Sequence, residues 1–211
     1  MICSLASGDK SDESLFAAIA ADLAIRGYSV QLGALPAVLG SDLARHLDGM
    51  PADEFKQARI GRHSQRMRDE QIRSDAICWI TKGYQAGDDW LQWVAKMQLA
   101  LNRQLFLGLF SFESHFAHYA AGGFYRRHLD AFRGQADRVL SVIVYLNPDW
   151  VEEDGGQLTL FSNNNEDAER IVVDPQFGTV VLFLSEDVPH EVLMTQCDRY
   201  SIAGWFRLRP V

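Results

Sequence analysis

The sequence predicts a mainly β fold, in which a jelly-roll core is supported by N-terminal helices. Hydrophobic residues recur at helical spacing in the first half of the chain, whereas short β-prone runs alternate with turn residues from about residue 114 onward. With 211 residues, of which 47% are hydrophobic and 23% charged, the chain has enough apolar surface for one buried core. We therefore expect a single domain over residues 1–211, with helical support in residues 1–113 and the jelly-roll core in residues 114–211.

Three helices are predicted ahead of the core. The first covers residues 12–26, where apolar residues share one face, and Gly27 follows the last turn. A short strand over residues 28–32 separates it from a second helix between about residues 36 and 47. The third helix covers residues 88–106, again with one apolar face.

The segment 55–75 interrupts this helical half. It lacks an apolar stripe and carries six basic residues against three acidic ones. Two structures remain open for it, a mobile loop or a solvated hairpin. Two roles also remain open, a solvated basic surface or a loop that closes over a substrate.

Eight short strands are predicted for the second half of the chain. Glycine pairs and Asn-Pro-Asp or Asp-Pro sequences separate them, and this spacing is typical of a sandwich or barrel. The strands are expected near residues 115–120, 125–130, 138–146, 157–161, 170–173, 178–184, 190–194 and 199–207.

The charge and cysteine content exclude several classes of function. Because 28 acidic residues outnumber 20 basic ones, the net charge of −8 argues against nucleic acid as the main partner. No stretch approaches 18 apolar residues, and the first residues lack the basic and apolar regions of a secretion signal, so we expect no membrane span. Cys3, Cys78 and Cys197 are far apart and form no C-x-x-C motif, which favours a reducing, cytoplasmic location.

One triplet in the β half, His128-Leu129-Asp130, suggests metal binding. Residues two apart on a strand point to the same side, so an imidazole and a carboxylate can reach one ion. His190, in a later strand, can supply a third ligand, and two histidines with one carboxylate form the facial triad of non-haem Fe(II) oxygenases. The alternative is a chance His-x-Asp with ordinary histidines. We interpret the remaining histidines as structural: His46, His63, His115 and His118.

Arg199 lies nine residues after His190 and begins the last predicted strand. Strand alternation places Arg199, Ser201, Ala203 and Trp205 on one face, and the small residues leave room for a carboxylate that a guanidinium binds bidentately. Tyr145 can add a phenol hydroxyl. The alternative is that Arg199 is a solvated charge at a strand end and Tyr145 a core tyrosine, and for either residue taken alone this alternative is favoured.

With these residues the sequence resembles the Fe(II)- and 2-oxoglutarate-dependent dioxygenases, and within them the prolyl 4-hydroxylase branch that includes the hypoxia-inducible-factor prolyl hydroxylases. The resemblance covers roughly residues 59–207 and follows the order of the metal triad. Its motifs are Ile72-Arg73-Ser74-Asp75-Ala76-Ile77-Cys78-Trp79-Ile80, Tyr145-Leu146-Asn147-Pro148-Asp149-Trp150, Gly155-Gly156-Gln157-Leu158, Val188-Pro189-His190-Glu191-Val192 and Arg199-Tyr200.

The resemblance implies a double-stranded β-helix fold and a set of site residues. In the family pattern the metal ligands correspond to His128, Asp130 and His190. The residues that bind the distal carboxylate of 2-oxoglutarate correspond to Arg199 and Tyr145. The catalytic set is therefore His128, Asp130, His190 and Arg199, and the co-substrate pocket adds Tyr119, Ile143, Leu158 and Trp205. Ala203 departs from the close animal relatives, which carry a hydroxyl residue there, so a weaker affinity for 2-oxoglutarate is expected.

The implied reaction uses Fe(II), 2-oxoglutarate and O2, with ascorbate as a supporting reductant, to convert a prolyl residue of a cytosolic protein to 4-hydroxyproline. In bacterial relatives the resemblance suggests a translation factor such as elongation factor Tu as the partner. Two alternatives stay open, a hydroxylase of a free amino acid or small metabolite, and a non-catalytic metal-binding jelly-roll module. Candidate substrate contacts are Arg62, Arg66, Asp75, Tyr125 and Arg138, with Arg138 expected to pair with Asp75.

Overall fold

The computed structural model describes residues 7–58, 72–131, 137–161 and 170–209. Three helices are present in these ranges: α1 (Ser7–Arg26), α2 (Ala37–Asp48) and α3 (Gln85–Leu105). Each agrees with a predicted helix, although α1 begins five residues earlier than its apolar pattern indicates. Gly27 ends α1 with a positive φ of 75°, and its backbone N–H donates to the Leu23 carbonyl.

Eleven strands in the described residues form two antiparallel sheets. The larger sheet has seven strands in the order β1-β9-β6-β11-β4-β3-β2, and the smaller has four in the order β5-β10-β7-β8. The strands are β1 (Tyr28–Gln31), β2 (Lys56–Gln57), β3 (Ala76–Trp79), β4 (Ser111–Tyr119), β5 (Tyr125–His128), β6 (Arg138–Tyr145), β7 (Leu158–Phe161), β8 (Arg170–Val173), β9 (Val180–Leu184), β10 (His190–Val192) and β11 (Arg199–Arg207). The mainly β fold class and all eight strands predicted for the second half are confirmed.

The first 113 residues contribute more than helical support. Besides the predicted strand β1, they supply β2 and β3, which pair with each other and extend the larger sheet beside β4. The strand β2 lies inside the segment 55–75, for which a mobile loop or a solvated hairpin was predicted. Its partner β3 lies just beyond that segment, since Lys56 is paired with Ile77. The boundary between support and core is therefore less sharp than the sequence pattern indicates.

The helices cover the outer face of the larger sheet. Leu43 from α2 and Trp90 and Met97 from α3 are fully buried against Phe116 and Ile202 of the sheet. The Trp90 indole N–H also finds a partner there, donating to the Ser114 hydroxyl at 3.0 Å. This layer covers one face of the central strands and leaves their other face to the jelly-roll interior.

The interior lies between the two sheets. A second apolar cluster joins Tyr145 and Phe183 of the larger sheet to Leu158, Leu160 and Val192 of the smaller one. On β11 the residues alternate, so that Ile202 packs toward the helices whereas its neighbours point inward. Among the described helices, none has the length and apolar character needed to cross a membrane.

Candidate active site

Strand pairing in the smaller sheet brings two histidines together. His128 ends β5 and His190 begins β10, and the two residues are direct antiparallel partners with ring centroids 4.2 Å apart. Asp130 follows β5 and faces both rings, with Oδ1 3.6 Å from His128 Nε2 and Oδ2 3.7 Å from His190 Nε2. One ligand atom from each of these three residues lies within 4.8 Å of the others. The three residues predicted as metal ligands are thus brought to one point.

Backbone carbonyls orient both imidazoles. His128 Nδ1 donates to the Arg126 carbonyl at 2.8 Å, and His190 Nδ1 donates to the Val188 carbonyl at 3.1 Å. Because each Nδ1 carries the proton, the Nε2 lone pairs are left to face Asp130.

The local electrostatics favour the charge states that a metal requires. Burial lowers the pKa of His190 to about 4, so its imidazole is neutral near pH 7. Burial alone would raise the pKa of Asp130, but His190, His128 and a hydrogen bond from Ser141 outweigh it and hold that pKa well below its usual value. Two imidazole nitrogens and one carboxylate are the donor set of non-haem Fe(II) sites, so these residues fit the ion.

Arg199 is buried in the same interior, with 1% of its surface exposed. Its Nε donates to the Gly156 carbonyl at 2.8 Å and one terminal nitrogen donates to Ser201 Oγ at 3.3 Å. Gly156 has a φ of 66°, and a Cβ there would approach the Arg199 side chain to 2.9 Å, so a glycine is needed. Among the described residues, no carboxylate forms an ion pair with this guanidinium. A buried charge of this kind is costly unless an anion completes its environment.

Tyr145 supplies a second unsatisfied group next to Arg199. Its hydroxyl is buried and has no hydrogen-bond partner, and its ring centroid lies 5.0 Å from the guanidinium carbon, as does that of Tyr119. Burial raises the pKa of Tyr145 to about 12 against the opposing effect of Arg199, so the hydroxyl keeps its proton and can donate. A guanidinium without a carboxylate partner and a phenol hydroxyl without a hydrogen-bond partner fit one carboxylate of a dicarboxylic acid.

The predicted pocket residues lie in two parts of the interior. Tyr119 and Leu158 are buried in the same apolar cluster as Tyr145, whereas Trp205 is buried farther along β11, opposite Ser141. Ile143 and Ala203, in contrast, are partly exposed although β6 and β11 are central strands. An inward-facing residue in a central strand is exposed only when the space above it is open, so these two form the floor of the pocket.

The candidate substrate contacts fall into different environments. Asp75 is fully buried and accepts a 2.7 Å hydrogen bond from Arg73 Nε. The predicted pair between Asp75 and Arg138 is wrong, because Arg73 already occupies the carboxylate and Arg138 instead donates to Glu113 at 3.1 Å. Tyr125 stacks on His128 with ring centroids 3.6 Å apart. The other two candidates, Arg62 and Arg66, lie outside the described residues.

Sequence reasoning missed the hydroxyl pair behind the metal site. Ser141 Oγ donates to Asp130 Oδ2 at 2.6 Å, and the Ser185 hydroxyl lies 2.9 Å from Ser141 Oγ. Both serines are fully buried. The available signal was a lone serine in the otherwise apolar run of β6, where it alternates with Ile143 and Tyr145.

Comparisons with known proteins agree with this geometry. Residues 114–207 match the model of a family described as the 2OG-Fe(II) oxygenase superfamily. A prolyl-4-hydroxylase from Pseudomonas putida is 44% identical, with a TM-score of 0.82, and the match covers 92% of this chain and all of that chain.

Two further relatives share less sequence. A Trichoplax adhaerens prolyl hydroxylase, solved with a peptide fragment of the hypoxia inducible factor oxygen degradation domain, is 25% identical with a TM-score of 0.82. That match covers 97% of this chain and 94% of the Trichoplax chain. The rat protein egl nine homolog 1 is 34% identical over 84 residues, which are 39% of this chain and 24% of the rat protein. The chain therefore spans about a quarter of that relative's length.

Proposed function

The chain belongs to the 2OG-Fe(II) oxygenase superfamily, and from that premise we propose that it hydroxylates a prolyl residue in an exposed loop of a cytosolic protein. The membership confirms the resemblance read from the sequence, and prolyl hydroxylases are among its structural neighbours. Enzymes of this family use Fe(II), 2-oxoglutarate and O2. The observation that supports the proposal most is the presence of the His128–Asp130–His190 cluster and the unpaired Arg199 in one buried interior.

Each side chain has a definite part in this proposal. His128, Asp130 and His190 would hold Fe(II), which when bound supplies the activation of O2 for insertion of oxygen into a C–H bond. Arg199 would bind the distal carboxylate of 2-oxoglutarate, and Tyr145 would donate a hydrogen bond to it. The remaining pocket residues, Tyr119, Ile143, Leu158 and Trp205, would exclude water from this space.

A peptide substrate is supported by the relatives and by the open pocket. The Trichoplax prolyl hydroxylase was solved in complex with a peptide fragment of the hypoxia inducible factor, and the Pseudomonas relative is named a prolyl-4-hydroxylase. For this chain we propose elongation factor Tu as the partner, with ascorbate as a supporting reductant. The exposure of Ile143 and Ala203 supports an entrance at the metal end of the pocket, through which a peptide loop can reach the site.

The test is a reaction of the purified protein with Fe(II), 2-oxoglutarate, ascorbate and elongation factor Tu. We expect a mass gain of one oxygen atom on a single prolyl peptide and a stoichiometric release of succinate. The matched control is Asp130→Ala, which should give neither product while keeping the folded structure, because the large apolar core needs no metal. A gain of oxygen on free proline or another small metabolite, with none on the protein, would contradict the proposal.

A further inference from the structure

Two buried ring nitrogens in the jelly-roll interior have no hydrogen-bond partner, and the proposed function uses neither of them as a donor. They are His115 Nδ1 on β4 and Trp205 Nε1 on β11. The two rings are neighbours, with centroids 5.4 Å apart, and only 3% of the His115 surface is exposed. In the described part of the chain only two other buried side-chain polar atoms share this condition, and one of them is the Tyr145 hydroxyl beside Arg199. Because buried polar atoms almost always have a hydrogen-bond partner, the pairing of two unsatisfied donors in one place points to a ligand.

The strand register places this pair at the metal end of the pocket. His115 is the direct partner of Ala203, and Trp205 is the direct partner of Ser141, which binds Asp130. Along β11, Ala203 and Trp205 are four and six residues beyond Arg199. At about 3.3 Å per residue this is roughly 13–20 Å from the Arg199 backbone. The two rings therefore lie away from the position that the distal carboxylate of 2-oxoglutarate would take.

The surroundings of the pair connect it with the outside of the protein. Ala203, opposite His115, is partly exposed and has no side chain beyond Cβ to fill the space above the imidazole. Trp79 meets the His115 ring edge-on at 5.1 Å and is 49% exposed. Arg138 covers the Trp205 ring at 3.7 Å and is itself partly exposed. The pair is thus located between the metal ligands and the protein surface, where a substrate rather than a co-substrate would enter.

The chemistry of the two rings defines what they can bind. An indole N–H only donates, and a neutral imidazole with its proton on Nδ1 also donates from that atom. A prolyl residue has no backbone N–H, so the peptide group that precedes it offers only a carbonyl oxygen, which has two lone pairs. Two unpartnered donors on neighbouring rings therefore suit a backbone carbonyl of a prolyl substrate.

We propose that His115 Nδ1 and Trp205 Nε1 bind a backbone carbonyl of the substrate peptide at the target prolyl residue. This inference rests on the proposed function and adds His115 to it as a residue that contacts the substrate. It also revises the interpretation of His115 as structural, which its sequence context alone had favoured.

The test compares two substitutions at position 115, using a synthetic prolyl peptide of elongation factor Tu as the probe. His115→Leu removes both ring nitrogens at similar volume, whereas His115→Asn keeps an N–H donor near the position of Nδ1. We expect His115→Leu to raise the peptide KM roughly 2- to 12-fold, the effect of one lost hydrogen bond. We expect His115→Asn to stay within about twofold of the wild type. The affinity for 2-oxoglutarate, titrated without peptide, should change several-fold less than the peptide KM does.

Controls separate hydrogen bonding from folding. His118→Leu changes a histidine on the same strand but on its opposite face, where it pairs with Asp198, and should leave the peptide KM unchanged. If His115→Leu does not fold, His115→Asn and His115→Gln decide the question, because a glutamine amide reaches the Nε2 position and should not restore binding. Equal effects of these two variants would overturn the inference.

Two other outcomes would also overturn it. A loss of 2-oxoglutarate affinity with an unchanged peptide KM would assign the pair to the co-substrate. A wild-type protein that consumes 2-oxoglutarate but hydroxylates no prolyl peptide would refute the proposed function, and this inference with it. The first outcome appears only in the variants and the second already in the wild type, so the two failures are distinguishable.

Discussion

Ser141 Oγ donates a 2.6 Å hydrogen bond to Asp130 Oδ2, and this contact joins the two sheets at the metal site. Ser141 belongs to β6 of the larger sheet, whereas Asp130 follows β5 of the smaller one. Ser185, after β9, lies 2.9 Å from Ser141 and completes a buried hydroxyl pair. The carboxylate is therefore oriented by residues outside its own sheet.

We expect Ser141→Ala to weaken Fe(II) binding. Without the hydroxyl the carboxylate can rotate away from the two imidazoles, and changes of this kind around metal ligands lower metal affinity by about 10- to 100-fold. Titration with Co(II), followed by its visible absorption, measures the affinity independently of turnover. Ser141→Thr keeps the hydroxyl and should bind the ion as the wild type does. An alanine variant with unchanged affinity would show that Asp130 needs no support from β6.

The second prediction concerns the unpaired cation of the pocket. Arg199→Ala should raise the KM for 2-oxoglutarate by about 10- to 150-fold, because a charge-assisted hydrogen bond contributes about 1.5–3 kcal/mol. Arg199→Lys should recover only part of this loss, since an ammonium lacks the planar fork. Tyr145→Phe should have a smaller effect, on the order of 2- to 12-fold, as it removes one neutral donor. Unchanged 2-oxoglutarate kinetics in the two Arg199 variants would remove this residue from the co-substrate site.

The strands and the metal triad were predictable from sequence because both depend on local spacing. Short β-prone runs between turn residues mark the core strands, and His128 and Asp130 are only two residues apart. The strands β2 and β3 at one end of the larger sheet were missed, because β2 has only two residues and the four residues of β3 show no apolar–polar alternation. Their position comes from pairing with β4, which is a tertiary contact.

The features that could not be predicted from the sequence depend on which hydrogen-bond or ion-pair partner each polar atom has in the folded chain. The wrong pairing of Asp75 shows this, because Arg73 is closer along the same extended segment and competes successfully with Arg138. His115 looked structural for a similar reason. Its residue type and neighbours in sequence are unremarkable, and only the folded chain reveals that Nδ1 has no partner.

The third prediction concerns the buried Arg73–Asp75 pair, which supports Tyr125 and through it His128. Arg73 lies 4.5 Å over the Tyr125 ring, and Tyr125 stacks on His128. Asp75→Ala leaves the buried guanidinium without its partner and should reduce the free energy of unfolding by about 3 kcal/mol. Urea denaturation measures this loss.

The matched control for that pair lies on the surface. Asp42 and Arg45 form an exposed ion pair on α2, so Asp42→Ala should cost no more than about 0.5 kcal/mol. Replacing both buried partners with apolar residues, Arg73→Met with Asp75→Leu, should recover much of the stability. If Asp75→Ala and Asp42→Ala have equal effects, the buried pair is not a structural support.

The last prediction concerns the stability of the metal-free protein in weak acid. Burial lowers the pKa of both His115 and His190 to about 4 from an ordinary value of 6.5. Between these pH values the unfolded chain binds protons that the folded chain does not, so the free energy of unfolding falls as the pH decreases from 6.5 toward 4. Since one pKa unit corresponds to about 1.4 kcal/mol, each histidine should account for a loss of about 2 kcal/mol between pH 7 and pH 5. Urea denaturation at the two pH values measures the loss. His115 and His190 together cause one part of this decrease in the free energy of unfolding, and His115→Leu should remove about half of that part. An identical pH dependence in wild type and variant would mean that His115 titrates normally in the folded protein.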